Sequence, residues 1–209
     1  RGKNTSMWLA IDSVKKKEAD IVVSAGNTGA LLVISKLNLK MIENIDKPAL
    51  SALWPNKKGM SVVLDLGANI ECSAKNLLDF SIMGASLYTS LYPGDKPNVG
   101  LLNIGSEELK GNETIKETYQ NLNDKKSENY NFSGYIEGNH LMDGNINVIV
   151  SDGFTGNVAL KTAEGTANFI TSELKKAMTG SIIGKISSLL NISSLKKFKK
   201  RLDPRLYNG

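Results

Sequence analysis

The chain has 209 residues, 41% hydrophobic and 22% charged with 5 Pro, an ordinary globular composition with material for one sizeable core. One cysteine, Cys72, excludes an internal disulfide framework and fits a reducing, cytoplasmic compartment, and one histidine, His140, leaves no zinc-type ligand cluster. The net charge of +5 is local, since Ser181 to Gly209 holds seven Lys or Arg against one acid; this argues against a surface that tracks nucleic acid, and no apolar run reaches the roughly 18 residues of a membrane span.

An apolar or alternating run ends in a Gly/Asn/Asp turn and passes into a helical pattern at four places. In the first, Ile21 to Val23 read as a strand, "SAGNTGA" as the turn, and Leu31, Leu32, Ile34, Leu37 and Met41 as much of a helix. In the second, Val62 to Leu64 are followed by "DLGAN" and a helix with Leu77, Leu78, Phe80, Ile82, Met83 and Leu87. "NVGLLNIGSEELKGNETIKETYQNL" is the third unit, with Glu107 and Glu108 expected to open its helix. "INVIVSDGFTGNVALKTAEG" is the fourth. Strands alternating with helices predict an α/β three-layer sandwich with a largely parallel sheet, in which ligands sit beyond the carboxyl ends of the strands. Residues 1–209 are read as a single α/β catalytic domain, with 180–203 as a basic, amphipathic helical appendage.

The turns fall at that rim, and their contents suit an anion. They offer Ser24, Asn27, Thr28, Asp65, Asn69, Asn103, Ser106, Asp152 and Asn157, with glycines that include Gly105, Gly153 and Gly156. Small donors and bare backbone at helix starts favour a phosphate or a developing oxyanion. Neither G-x-G-x-x-G in its strand context nor G-x-x-x-x-G-K-[ST] occurs, so dinucleotide and P-loop sites lose support. Asp65 and Asp152 are candidate helix caps or orienters of Asn and Lys partners. Lys110 stands near an expected helix start, where a cation opposes the dipole, and is the candidate phosphate-binding cation.

"VSAGNTGALL", "LDLGANIEC", "VGLLNIGSEELKGNE" and "VSDGFTGNVALKTAEG" together resemble the phosphate acyltransferase family of bacterial phospholipid synthesis, the PlsX family, in the right order over most of the chain. The resemblance implies transfer of a long-chain acyl group from acyl carrier protein to inorganic phosphate, giving acyl phosphate, on a fold similar to phosphotransacetylases and isopropylmalate dehydrogenase-like proteins. It implies no cofactor and no metal, a homodimer, and a downstream membrane glycerol-3-phosphate acyltransferase as recipient. The family's opening strand is expected before Arg1, and a "GGAPLLG"-like segment after Gly209. Within this reading Asn69, Asn103, Lys110, Asp152 and Asn157 are the candidate catalytic residues. Ser24, Asn27, Thr28, Asp65, Gly105, Gly153 and Gly156 are the candidate substrate-binding residues. Phosphate is itself the nucleophile and a thiolate leaves, so the protein has to supply positioning and oxyanion donors, and neither Cys72 nor His140 is needed. A short-chain phosphotransacetylase using coenzyme A and a non-catalytic, membrane-associated scaffold are the alternatives.

In the tail, Ile182, Ile183, Ile186, Leu189 and Leu190 follow i, i+1, i+4, i+7, i+8 beside Lys196, Lys197, Lys199 and Lys200. This predicts an amphipathic helix for anionic lipid or an acidic carrier protein, placing the protein on the inner face of the membrane. A dimer interface or an internal core is the other use of such a stripe.

Overall fold

The computed structural model describes residues 2–94 and 96–202. It divides into two compact units, Arg1–Ala49 and Leu50–Gly209.

The first unit holds α1 (Ser6–Lys15) and α2 (Thr28–Leu39), each opened by a side-chain cap, Thr5 and Asn27. Between them the expected strand Ile21–Val23 is not formed: the segment belongs to no sheet, and Ile21 and Val23 are 75% and 86% exposed. A strand needs a neighbour to take its ladder hydrogen bonds, and none lies beside this run among the described residues. The apolar pattern is present without the partner that would bury it. Met41 falls beyond the end of α2.

The second unit is a five-stranded sheet in the order β1-β2-β5-β3-β4, built from β1 (Ser51–Pro55), β2 (Met60–Leu64), β3 (Asn98–Asn103), β4 (Asn131–Glu137) and β5 (Val148–Val150). Only β1 runs antiparallel, against β2; the other three pairings are parallel. The short strands Val62–Leu64 and Val148–Val150 are buried on both faces, which is why they read as apolar runs. Their side chains alternate as the pleat requires. Leu64 and Val148 meet α3 (Ala74–Leu91), where Gly84 leaves no room for a Cβ against either. Val63 and Ile149 point to the opposite face, into a core with Trp54, Leu102, Ile136 and Leu141. That core is closed by Leu160 and Ala163 of α5 (Gly153–Thr179). With α4 (Glu113–Asp124) packed beside α3, the result is the expected three-layer α/β arrangement.

Two strands and one helix boundary differ from the sequence reading. β1 alternates, with Ala52 and Trp54 turned inward, but is only five residues long and ends in Pro55, while β4 carries Gly134 at φ +83° and a register shift against β3 that interrupt its alternation. Glu107 and Glu108 do not open a helix, because Gly111 at φ +96° breaks the backbone and Asn112 caps α4 instead, accepting from the Ile115 N–H at 2.9 Å.

The tail forms two helices, α6 (Ile182–Leu190) and α7 (Ile192–Arg201), parted at Asn191. Ser188 and Gly184 face α5: the Ser188 hydroxyl donates to the Met178 carbonyl at 3.1 Å, and a Cβ on Gly184 would lie 2.6 Å from the same oxygen. The stripe of Ile182, Ile183, Ile186, Leu189 and Leu190 faces away and is 57–80% exposed, so it is no internal core within the described residues. Position 203, the end of the expected appendage, lies outside those residues. No described helix is long and apolar enough to cross a membrane.

Candidate active site

Because β2, β5 and β3 are adjacent and parallel, the turns that follow them emerge at one rim of the sheet. The turn after β2 is organised around the fully buried Asp65. Its carboxylate accepts from the backbone N–H groups of Leu50 (3.0 Å), Gly67 (3.1 Å), Ala68 (2.9 Å) and Asn69 (2.8 Å), and from the Asn69 side-chain amide (2.7 Å). Several short hydrogen bonds of this kind are what lets a carboxylate sit fully buried.

The turn after β5 locks onto this one. Asp65 N–H donates to the Ser151 carbonyl at 3.0 Å, Ser151 N–H to Leu64 at 2.8 Å, Gly153 N–H to Asn69 at 2.8 Å, and the Asn157 amide to Leu66 at 2.9 Å. A Cβ on Gly153 would lie 2.6 Å from the Asn69 carbonyl oxygen, and one on Gly156 would collide with that of Asp65. These two glycines therefore serve close backbone approach between two turns about 90 residues apart in sequence. Asp152 is the N-cap of α5, accepting from the Thr155 N–H (2.7 Å) and hydroxyl (2.9 Å). The amides of Gly153, Thr155 and Gly156 are thus used inside the protein.

The turn after β3 is an arch from Ile104 to Gly111. Buried Asn103 is its base, donating both amide hydrogens, to the carbonyls of Gly105 and Lys110 at 3.1 Å each. The Tyr119 hydroxyl reaches Glu108 at 3.3 Å from α4, and burial first, then the charge of Glu108, pushes the Tyr119 phenol above its usual pKa. Lys110 is exposed on this arch, its stem lying over buried Gly105.

Two clefts open at the rim. One, of about 670 Å³, runs between Asn103, Ile104 and Gly111 on one side and Asp152, Val158 and Ala159 on the other. The second, of about 490 Å³, lies between Ile70, Glu71 and Cys72 and Phe154 and Thr155. Asn112, Ile115, Asp152 and Thr155 line both. Of the expected catalytic residues, Asn103 and Asp152 line the clefts; Asn69 and Asn157 hold the interlocked turns, and Lys110 borders the larger cleft on its arch without lining it. Ser24, Asn27 and Thr28 belong to the first unit, where Ser24 accepts from the Gly26 N–H and Asn27 caps α2. His140 lines neither cleft; Asp143, which also takes Lys57, holds it at 2.7 Å. Sequence reasoning missed Asn112 and Thr155. For Asn112 a signal existed, an Asn followed by Glu at the head of a helical pattern.

No group of three or more His, Cys, Asp or Glu side chains is placed to hold a metal ion among the described residues.

The family described as "Fatty acid synthesis protein" matches residues 1–209. A phosphate acyltransferase of Pelagibacter ubique is 82% identical over 209 residues, covering 100% of this chain and 63% of that protein. Phosphate acyltransferases of Maricaulis maris and Caulobacter vibrioides are 48% and 46% identical, again over 100% of this chain and over 60% and 58% of their own lengths. The chain thus spans about 60% of the length of the curated relatives it matches. In fold it is similar to the EutD phosphotransacetylase from Staphylococcus aureus (TM-score 0.62, 17% identity, 78% of this chain and 56% of that one). A phosphotransacetylase from Streptococcus pyogenes is similar at TM-score 0.55 and 17% identity, over 76% of this chain and 54% of that one.

Proposed function

Because the chain belongs to the fatty acid synthesis protein family, we propose that it forms the core of an acyltransferase that moves a long-chain acyl group from acyl carrier protein to inorganic phosphate. The product is acyl phosphate, destined for phospholipid synthesis. The observation that carries this reading is the trough at the sheet rim, where three turns rich in glycine and asparagine converge on Asp152, Thr155 and Asn112. A phosphate oxygen attacks the thioester carbonyl, a C–O bond forms, the tetrahedral oxyanion collapses, the C–S bond breaks, and the thiolate takes up a proton. No electron changes hands, so the chemistry needs no redox cofactor. The protein's task is positioning, which contributes up to roughly 7–11 kcal/mol when ideal, and donors aimed at the oxyanion.

In this reading Asp65, Asn69, Asn103 and Asn157 fix the turns, so the Asn side chains act mainly by holding backbone in place. Lys110, on a stem able to swing across the arch, supplies charge to phosphate, and Asp152 and Thr155 border the reacting group. The α6 stripe lies on the inner membrane surface with the α7 lysines against lipid phosphates, in a cytoplasmic homodimer that passes acyl phosphate to a membrane glycerol-3-phosphate acyltransferase. What supports this placement is the outward, exposed stripe on α6 next to Lys196, Lys197, Lys199 and Lys200.

The test is turnover by the full-length protein given a long-chain acyl carrier protein and phosphate, without added metal or nucleotide. Phosphate-dependent release of free carrier is expected. Its absence in a folded sample rejects the reading, and a preference for acetyl-coenzyme A replaces it with short-chain phosphotransacetylation.

A further inference from the structure

The rim trough has two unlike arms that share their middle. Asn112, Asp152 and Thr155 at the junction are polar. The larger arm, about 670 Å³, has Leu102, Ile104, Val158 and Ala159 as its apolar wall, with Asn103, Glu137 and Asn139 beside them. Ile104 and Val158 are 81% and 51% exposed, on the arch after β3 and on α5 respectively. Large apolar side chains facing each other across an open cleft leave hydrocarbon surface in water, and a bound apolar chain would cover it. The smaller arm, about 490 Å³, differs in kind: Glu71, Asn112 and Thr114 give it hydrogen-bonding groups along its length, with Ile70 and Phe154 at the lip.

An acyl thioester has the same asymmetry about its reacting carbon. On one side is a chain with no hydrogen-bonding group; on the other is a thiol-bearing arm that contains amides. Resting on the acyl-transfer reading above, we infer that the arm between the β3 arch and α5 receives the acyl chain, with Ile104 and Val158 setting how much chain is accepted, and that the arm between Ile70 and Phe154 receives the amide-containing thiol arm of the carrier. The scissile bond then lies over Asp152, Thr155 and Asn112, where the arms meet. In the opposite orientation the acyl chain would lie against Glu71 and Thr114 and leave Ile104, Val158 and Ala159 uncovered, which forfeits the apolar burial and desolvates polar groups without a partner. Both volumes fall within the range of small-molecule pockets.

The inference is tested in the full-length protein with hexadecanoyl and butanoyl carrier substrates at saturating phosphate. Val158→Trp and Ile104→Trp each narrow the larger arm at an exposed position, so one can fail to fold without removing the test. The ratio of kcat/KM for hexadecanoyl to butanoyl substrate is expected to fall about tenfold or more in each folded variant. Phe154→Ala is expected to raise the KM for carrier by a similar factor at both chain lengths, leaving that ratio where it was. If the tryptophan variants leave the ratio unchanged, or if Phe154→Ala changes the ratio and they do not, the assignment of the arms is wrong. If wild-type protein releases no carrier in response to phosphate at either chain length, the acyl-transfer reading itself falls.

Discussion

The interlocked turns make a prediction in which the same chemical change has opposite signs at two places on one helix. Gly156 and Gly165 both lie in α5, and replacing either by Ala removes the helix penalty of glycine, about 1 kcal/mol. Around Gly165 nothing beyond its chain neighbours and the backbone of its own helical turns lies within 4 Å of an added Cβ. Gly165→Ala should therefore stabilise by about 0.5–1 kcal/mol. At Gly156 the methyl would run into the Asp65 carbonyl oxygen and stand 2.6 Å from the Ser151 hydroxyl and 3.0 Å from the Asp65 carbonyl carbon. The Asp65 peptide cannot simply retreat. Its N–H is bonded to Ser151 at 3.0 Å, its carboxylate takes five hydrogen bonds, and its carbonyl accepts from the Ser151 hydroxyl at 3.3 Å. Overpacking of this kind costs about 1–3 kcal/mol, and losing the hydroxyl bond about 1 more, so Gly156→Ala should destabilise by a net ~1–3 kcal/mol after the propensity gain. The two variants should then differ by roughly 1.5–4 kcal/mol, or about 3–16 °C in melting temperature for a domain of this size. Thermal melts and urea midpoints at unchanged m-value measure it. If Gly156→Ala melts at or above Gly165→Ala, the close approach of the two turns is not what the glycine is for.

Lys110→Ala should lower kcat/KM for phosphate by about ten- to a hundredfold, or ~1.4–2.8 kcal/mol, and an unaltered phosphate dependence would remove Lys110 from the reaction. Leu189→Glu should abolish vesicle binding while sparing turnover of soluble substrate; neutralising Lys196, Lys197, Lys199 and Lys200 should weaken binding to anionic vesicles only, by up to about 1 kcal/mol per charge. Dissociation of a dimer by Leu189→Glu, with vesicle binding insensitive to the lysines, would make the stripe a protein interface instead. Asp143 is held below the usual carboxylate pKa by its hydrogen bond to Lys57 and then by His140. A depressed folded-state pKa gives stability that is complete above the ordinary value near 4 and is lost as pH falls through the folded one. Asp143→Asn should accordingly be less stable than wild type at pH 7 in urea titrations, and the gap should close in acid; a gap that persists at the lowest pH would refute the ion-pair account.

What the sequence determined by itself is what local pattern can encode. The apolar runs at Val62–Leu64 and Val148–Val150, the helical spacing around Leu77 and Phe80, the turns after each run and the α6 stripe are all set by residues within a few positions of one another, and each element formed as its own period requires. The tertiary structure decided whatever depends on a distant partner. Ile21–Val23 carries as good a strand pattern as Val62–Leu64, yet among the described residues only the latter has a parallel neighbour, β5, to bond with. The asparagines read as anion donors, but Asn69 and Asn157 each give an amide hydrogen to the β2 turn, and Asn103 gives both of its own to the arch that carries Lys110. Gly153 and Gly156 mark a tight turn in sequence; only the fold shows that a second backbone occupies the space their missing side chains leave. The two arms of the rim trough belong to the same class, since Ile104 and Val158 face one cleft only because β3 and β5 are neighbours in the sheet. Periodicity tells a residue which side of its own element it is on, and contact between elements fixes what it meets there.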